Sequence, residues 1–201
     1  VSILEPKQLV DSLGFWGGHL AIWAIVFAES GLLIGFFLPG DSLLFAAGLL
    51  ASAGKLNIFA LIIGCFICAV VGDNVGYATG KRFGPKLFSK EDSLFFHKNH
   101  ITKAQNFYEK HGTKTIVLAR FMPVVRTFAP IVAGIGKMDY STFFKFNLLG
   151  GLVWTSGLSL LGFGLGNVIP DVDKYLLPIT LAIVVISIIP SLLHLLPERK
   201  K

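Results

Sequence analysis

Four charged residues stand where charge is expensive. Glu29, Asp41, Arg120 and Arg126 each fall inside or at the end of a strongly apolar run. Burying an ionised side chain in hydrocarbon costs about 2.5–3.5 kcal/mol even on mild insertion scales. Four such costs require pairing, water or a ligand. Arginine offers a planar fork of donors that suits a phosphate. In an unbroken helix Arg120 and Arg126 would point about 120° apart, but Pro123 lies between them. A break there frees the two to converge on one anion, and a half-helix N-terminus at the break adds backbone N–H donors. A carboxylate stripped of water favours its neutral form, so Glu29 or Asp41 can exchange a proton within a physiological range. Arg120 and Arg126 thus form a candidate phosphate-binding pair, with Glu29 and Asp41 as proton-coupling or ion-pairing partners. The competing reading is two ion pairs that only lock structural elements together. Asp73 and Asn147 are secondary polar candidates.

Other chemistry finds little support. His97 and His100 sit in a polar stretch without a metal set beside them, and neither G-x-S-x-G nor H-E-x-x-H occurs. His19, His111 and His194 complete the histidines, and His194 suits an interfacial position. Cys65 and Cys68 have redox spacing but lie in an apolar run, where they read as small buried hydrophobes. Trp16, Trp23 and Trp154 fit interfacial or packing roles. We therefore expect a non-enzyme with no cofactor and no metal.

The elements that must position these charges are set by lipid. The 201-residue chain is 53% hydrophobic and only 15% charged, with a mean hydropathy of +0.69. A soluble domain carries about 25% charged residues, so too little polar surface remains to cover a water-soluble globule. The net charge of +6 resides in connecting segments and the C-terminus, which indicates cytoplasmic bias rather than nucleic-acid binding.

Along the chain, residues 1–13 read as an interfacial segment. Residues 15–53 form a first broken hairpin: a long apolar arm holding Glu29, a break at Pro39 and Gly40, and a second arm too short to cross. Residues 56–79 read as a span whose end carries Gly72, Gly76, Gly80 and Gly84, a small-residue ladder that admits a close neighbour. Residues 81–114 are a polar linker with an amphipathic helix marked by Ile101, Ala104, Phe107 and Tyr108. Residues 115–136, broken at Pro123 and Pro130, form a second hairpin, followed by spans at 139–166 and 175–196. A cap at Asp139 or Ser141 opens the first of these spans. The predicted fold is all-α: a polytopic helical bundle with two opposed re-entrant hairpins in an inverted-repeat-like order. The linker and C-terminus are expected in the cytoplasm.

Glu29 with Phe37-Leu38-Pro39-Gly40-Asp41, and Arg120-Phe121-Met122-Pro123-Val124-Val125-Arg126-Thr127 with Ala133-Gly134, resemble the DedA family. The likeness extends in order through Gly72-Asp73-Asn74-Val75-Gly76-Tyr77, Tyr108-Glu109-Lys110-His111-Gly112, Phe144, Asn147 and Gly151 to Trp154. The resemblance implies a bacterial inner-membrane protein with two opposed re-entrant hairpins. It implies roles in envelope integrity, the proton motive force and resistance to cationic antimicrobials. It also implies lipid movement: undecaprenyl phosphate in some members, a link to phosphatidylethanolamine in others, lipid scrambling in eukaryotic relatives. The family's essential acids fall on Glu29 and Asp41, and its essential arginines on Arg120 and Arg126.

The expected function is a membrane lipid transporter or flippase. Its partner would be undecaprenyl phosphate or another phosphorylated lipid, with protons as a coupling ion and a homo-oligomer compatible with the sequence. Two readings stay open beside it. One is a proton- or cation-coupled small-solute transporter with structural arginines; the other is a scaffold for envelope enzymes.

Overall fold

The computed structural model describes residues 6–32, 38, 40–87, 117, 120 and 123–168. They form five helices in chain order: α1 (Pro6–Gly31), α2 (Gly40–Ser52), α3 (Ile58–Leu87), α4 (Pro123–Ile135) and α5 (Tyr140–Val168). Among the described residues there is no strand. The interior of the polar linker, the last expected span and Pro39 lie outside the described residues.

The helix boundaries follow local chemistry. Pro6 and Pro123 each open a helix, where the missing N–H is no loss and the fixed φ is already helical. Asp41 sits in the first turn of α2, on the side of the helix dipole that favours an acid. Gly54, at φ 73°, follows α2 while Lys55 N–H donates to the Leu50 carbonyl at 3.0 Å. That left-handed turn is where glycine costs least. Asn57 caps α3 by accepting from Ala60 N–H at 3.0 Å. Asp139 caps α5 by accepting from the Thr142 amide at 2.9 Å and the Ser141 hydroxyl at 2.8 Å. Of the two caps expected there, the structure uses Asp139.

Three boundaries differ from the sequence reading. α1 begins at Pro6 and runs unbroken to Gly31, so part of the segment read as interfacial belongs to the same helix. α3 passes through Lys81 and Arg82 to Leu87; both are good helix formers, and the backbone ladder ignores side-chain polarity. Pro130, read as a break, lies inside α4. The ladder loses only the bond that would have reached the Arg126 carbonyl, and neighbouring contacts carry the helix through.

Two helices, Ile58–Phe83 within α3 and Tyr140–Val168, are long and apolar enough to cross a membrane. α2 and α4 have 13 residues each, roughly 20 Å long and short of a ~30 Å hydrocarbon core. Polarity is arranged for lipid. Phe59, Ile63, Ile67, Val71 and Val75 form an exposed apolar stripe every fourth residue of α3. Leu149, Leu152, Val153, Leu160, Leu161 and Leu165 do the same on α5. Glu29, Asp73, Arg120 and Arg126 are buried. An exposed apolar surface of this extent needs a non-aqueous partner.

The chain divides into two compact units. The first comprises residues 1–25, 37–65 and 155–201. In it α2 lies directly on the second half of α5: a Cβ on Gly48 would strike the Ser159 carbonyl, and one on Gly162 the Phe45 carbonyl. Trp23 covers Gly64, and the buried His19 ring meets the Asn57 backbone N–H at 3.2 Å. The second unit comprises residues 26–36 and 66–154. Its core stacks Tyr77 on Phe143, ring centroids 4.6 Å apart, around Ala133. The glycine ladder of α3 works here as expected. Gly72 meets Ser30 and Gly31 at the end of α1, while Gly76 and Gly80 receive Pro130 and Ile131 of α4.

Candidate functional site

The second unit gathers the buried charges. Glu29 comes from the last turn of α1, Asp73 from the middle of α3 and Arg126 from α4; none is more than 3% exposed. Arg120 is equally buried and lies in a turn before α4, its N–H donating to the Val117 carbonyl at 3.2 Å. The two arginines therefore do not share a helix, which removes the 120° divergence of an unbroken one.

Among the described residues both guanidinium groups meet buried carboxylates. Arg126 Nη2 donates to Glu29 Oε1, and Arg120 Nη2 donates to Asp73 Oδ2. Arg120 Nη2 also donates to Asn147 Oδ1, and the Asn147 amide donates onward to the Val70 carbonyl at 3.1 Å. Asn147 thereby ties α5 to α3 across the arginine. Gly150 makes room for it: a Cβ there would lie 2.8 Å from Arg120 Cδ. The Arg126 guanidinium also lies over the Trp154 ring, 4.6 Å from its centroid. In a desolvated setting such a contact stabilises by about 2 kcal/mol.

The two ion pairs are adjacent because their helices touch. Gly72 precedes Asp73 and Ser30 follows Glu29, and a Cβ on Gly72 would come within 2.8 Å of Ser30 Cβ. Several buried polar atoms around the pairs have no hydrogen-bond partner among the described residues: Arg120 Nε and Nη1, Asp73 Oδ1, Ser30 Oγ and Thr127 Oγ1. Buried polar atoms of this kind ordinarily find one. The arrangement can offer unspent guanidinium and hydroxyl donors to an anion.

The sequence candidates are thus brought together in part. Glu29, Arg120, Arg126, Asp73 and Asn147 belong to one unit, while Asp41 belongs to the other, in the first turn of α2. Asp73, ranked as secondary from sequence, is the acid that pairs with Arg120. Its place inside the glycine ladder, beside Gly72 where α3 meets α1, is the available signal. Trp154, whose sequence setting suits an interfacial or a packing role, packs its ring under the Arg126 guanidinium. Among the described residues no group of three His, Cys, Asp or Glu side chains is placed to hold a metal ion.

Described residues that are helical, with exposed apolar stripes and buried charges, define a class, the helical membrane proteins with a buried polar site. Residues 38–164 match the VTT domain. The chain is 43% identical to Protein DedA of Escherichia coli (strain K12) over 195 residues, 96% of this chain and 88% of that protein. It is 43% identical to an uncharacterized membrane protein of Mycobacterium leprae over 192 residues, covering 94% and 86% of the two chains. With one from Mycobacterium tuberculosis (strain ATCC 25618 / H37Rv) it shares 44% over 194 residues, 94% and 85%. No solved structure matches. The chain belongs to the DedA family of VTT-domain membrane proteins.

Proposed function

We propose that this protein moves a phosphate-bearing lipid, undecaprenyl phosphate or a relative, across a bacterial inner membrane. Arg120 and Arg126 bind the phosphate, while Glu29 and Asp73 release them on protonation. The supporting observation is that both arginines are buried and paired with buried carboxylates, with the Nε and Nη1 of Arg120 still unspent among the described residues. Permanent pairing would leave little affinity for an anion. Protonation of either acid frees a guanidinium, and phosphate binding then accompanies proton uptake. In this reading α2 and α4, too short to cross, are the inner arms of two re-entrant hairpins, one in each half of an inverted repeat. The hairpins bring the charges to depth while lipid covers the outer faces.

The test is translocation of a labelled polyprenyl phosphate in proteoliposomes, with lipid affinity measured against pH. Arg126→Lys should lose binding despite keeping its charge, because an ammonium lacks the bidentate fork. Glu29→Gln should keep binding and flatten its pH dependence. Ion flux without lipid movement would instead favour a small-solute transporter. Unchanged affinity in Arg126→Lys together with unchanged pH dependence in Glu29→Gln would return the charges to a structural role.

A further inference from the structure

A second polar feature of the same unit takes no part in the ion pairs. At the end of α3, Asn74, Tyr77, Ala78, Lys81 and Arg82 join Tyr140 of α5 in lining an open-sided cavity of about 460 Å³. Lys81 and Arg82 are exposed, and among the described residues neither forms an ion pair. Lys81 Nζ lies 6.0 Å from the Tyr77 ring centroid, and Arg82 is 5.7 Å from that of Phe83. Tyr77 is held in place: its hydroxyl donates to the Met138 carbonyl at 2.6 Å, and its ring stacks on Phe143. The Tyr140 hydroxyl donates to Asn74 Oδ1 at 3.0 Å. Among the described residues the acid at this end is Asp139, whose Oδ2 is engaged by Ser141 and Thr142.

The position says what such a cavity would meet. It lies where the span of α3 ends and that of α5 begins, so its depth is that of lipid headgroups. Tyrosines are favoured there because one end of the ring is apolar and the other polar. Two cations flanking a tyrosine-walled cavity complement an anionic group of that size, and the apolar stripe of α3, ending at Val75, offers the adjoining surface to acyl chains. We propose that this groove binds the phosphate headgroup of an anionic membrane lipid. The groove is separate from the buried arginines: Lys81 is eight residues beyond Asp73 on α3, about 12 Å along the axis. It therefore does not depend on what the buried site does.

Native mass spectrometry of the full-length protein tests this, titrating dioleoyl phosphatidylglycerol and dioleoyl phosphatidylcholine separately. Wild type should retain one phosphatidylglycerol far more tightly than phosphatidylcholine. Lys81→Gln/Arg82→Gln should weaken that adduct by about thirtyfold, since each basic residue beside an anionic headgroup contributes about fivefold. Lys81→Arg should keep it. Equal retention of the two lipids by wild type, or an unchanged phosphatidylglycerol affinity in the double variant, would overturn the proposal. So would displacement of the tight adduct by millimolar inorganic phosphate, which would make the groove a site for the free ion. Both Gln side chains are exposed and helix-compatible, so a normally folded variant is expected and is checked by its unfolding temperature.

Discussion

Replacing Asp73 by Asn removes one charge from the interior while keeping its shape. Both members of the Asp73–Arg120 pair are almost fully buried, at no more than 2% exposure. Removing one partner of such a pair costs about 3–5 kcal/mol, because the remaining charge is stranded away from water. Asn147 continues to accept from Arg120, which places the expected cost near the lower figure, about 3 kcal/mol. For a chain of this length each kcal/mol moves the unfolding temperature by about 2–4 °C, so Asp73→Asn should lower Tm by roughly 6–12 °C. Arg120→Gln, which strands the carboxylate instead, should do comparable damage. The double variant Asp73→Asn/Arg120→Gln leaves no uncompensated charge and should recover most of the loss, because a neutral buried pair can match an ionic one. The assay is thermal unfolding of the purified protein in detergent at neutral pH, arranged as a double-mutant cycle. A Tm within 2 °C of wild type (about 1 kcal/mol or less) for Asp73→Asn, with additive effects in the double variant, would refute the claim that this carboxylate holds Arg120.

Three further outcomes are expected. Trp154→Leu should destabilise by about 3–5 kcal/mol, combining lost ring volume with the lost face over Arg126, whereas Trp154→Phe should keep part of the cation contact and cost less in the same unfolding assay. A Cβ at Gly80 would collide with the Ile131 carbonyl while one at Gly157 meets nothing within 4 Å; Gly80→Ala should therefore cost about 1–3 kcal/mol, and Gly157→Ala should gain about 0.5–1 kcal/mol of helix stability. The Asp139 carboxyl is held below its usual range by its bond from the Ser141 hydroxyl, then by the Thr142 amide and hydroxyl. Its cap is thus fully present above about pH 3.9 and fades as pH falls through the lower folded value. Amide-exchange protection at Thr142 should fall at that acidic end in wild type and be low at every pH in Asp139→Ala.

Much of this protein is legible without coordinates. Apolar content confines it to lipid, and the boundaries of α2 and α5 follow from signals within a few residues: Gly40 and Asp41, Gly54, Asp139. Such signals are local, and local chemistry is what a sequence displays. The family motifs likewise named Glu29, Arg120 and Arg126 before any geometry. Even the glycine ladder announced a close helix contact, though not with which helices. Local signals fail where a neighbour outvotes them. Pro130 looked like a break, yet its ring packs beside Gly76 and the helix continues. Lys81 and Arg82 looked like the start of a linker, yet α3 carries them on.

The pairing of charges was decided by the tertiary structure alone. A carboxylate at any of several positions could neutralise Arg120, and nothing within a few residues of Arg120 selects among them. The choice of Asp73, 47 residues away, follows from where α3 lies once Gly72 lets it close on α1 and Asn147 ties it to α5. Trp154 became a partner of Arg126 in the same way, through α5 presenting a ring where α4 presents a guanidinium. Composition and local signals determined that charges would be buried in an apolar helical protein. Long-range packing determined which charge meets which, because that depends on distances between helices that no local sequence encodes.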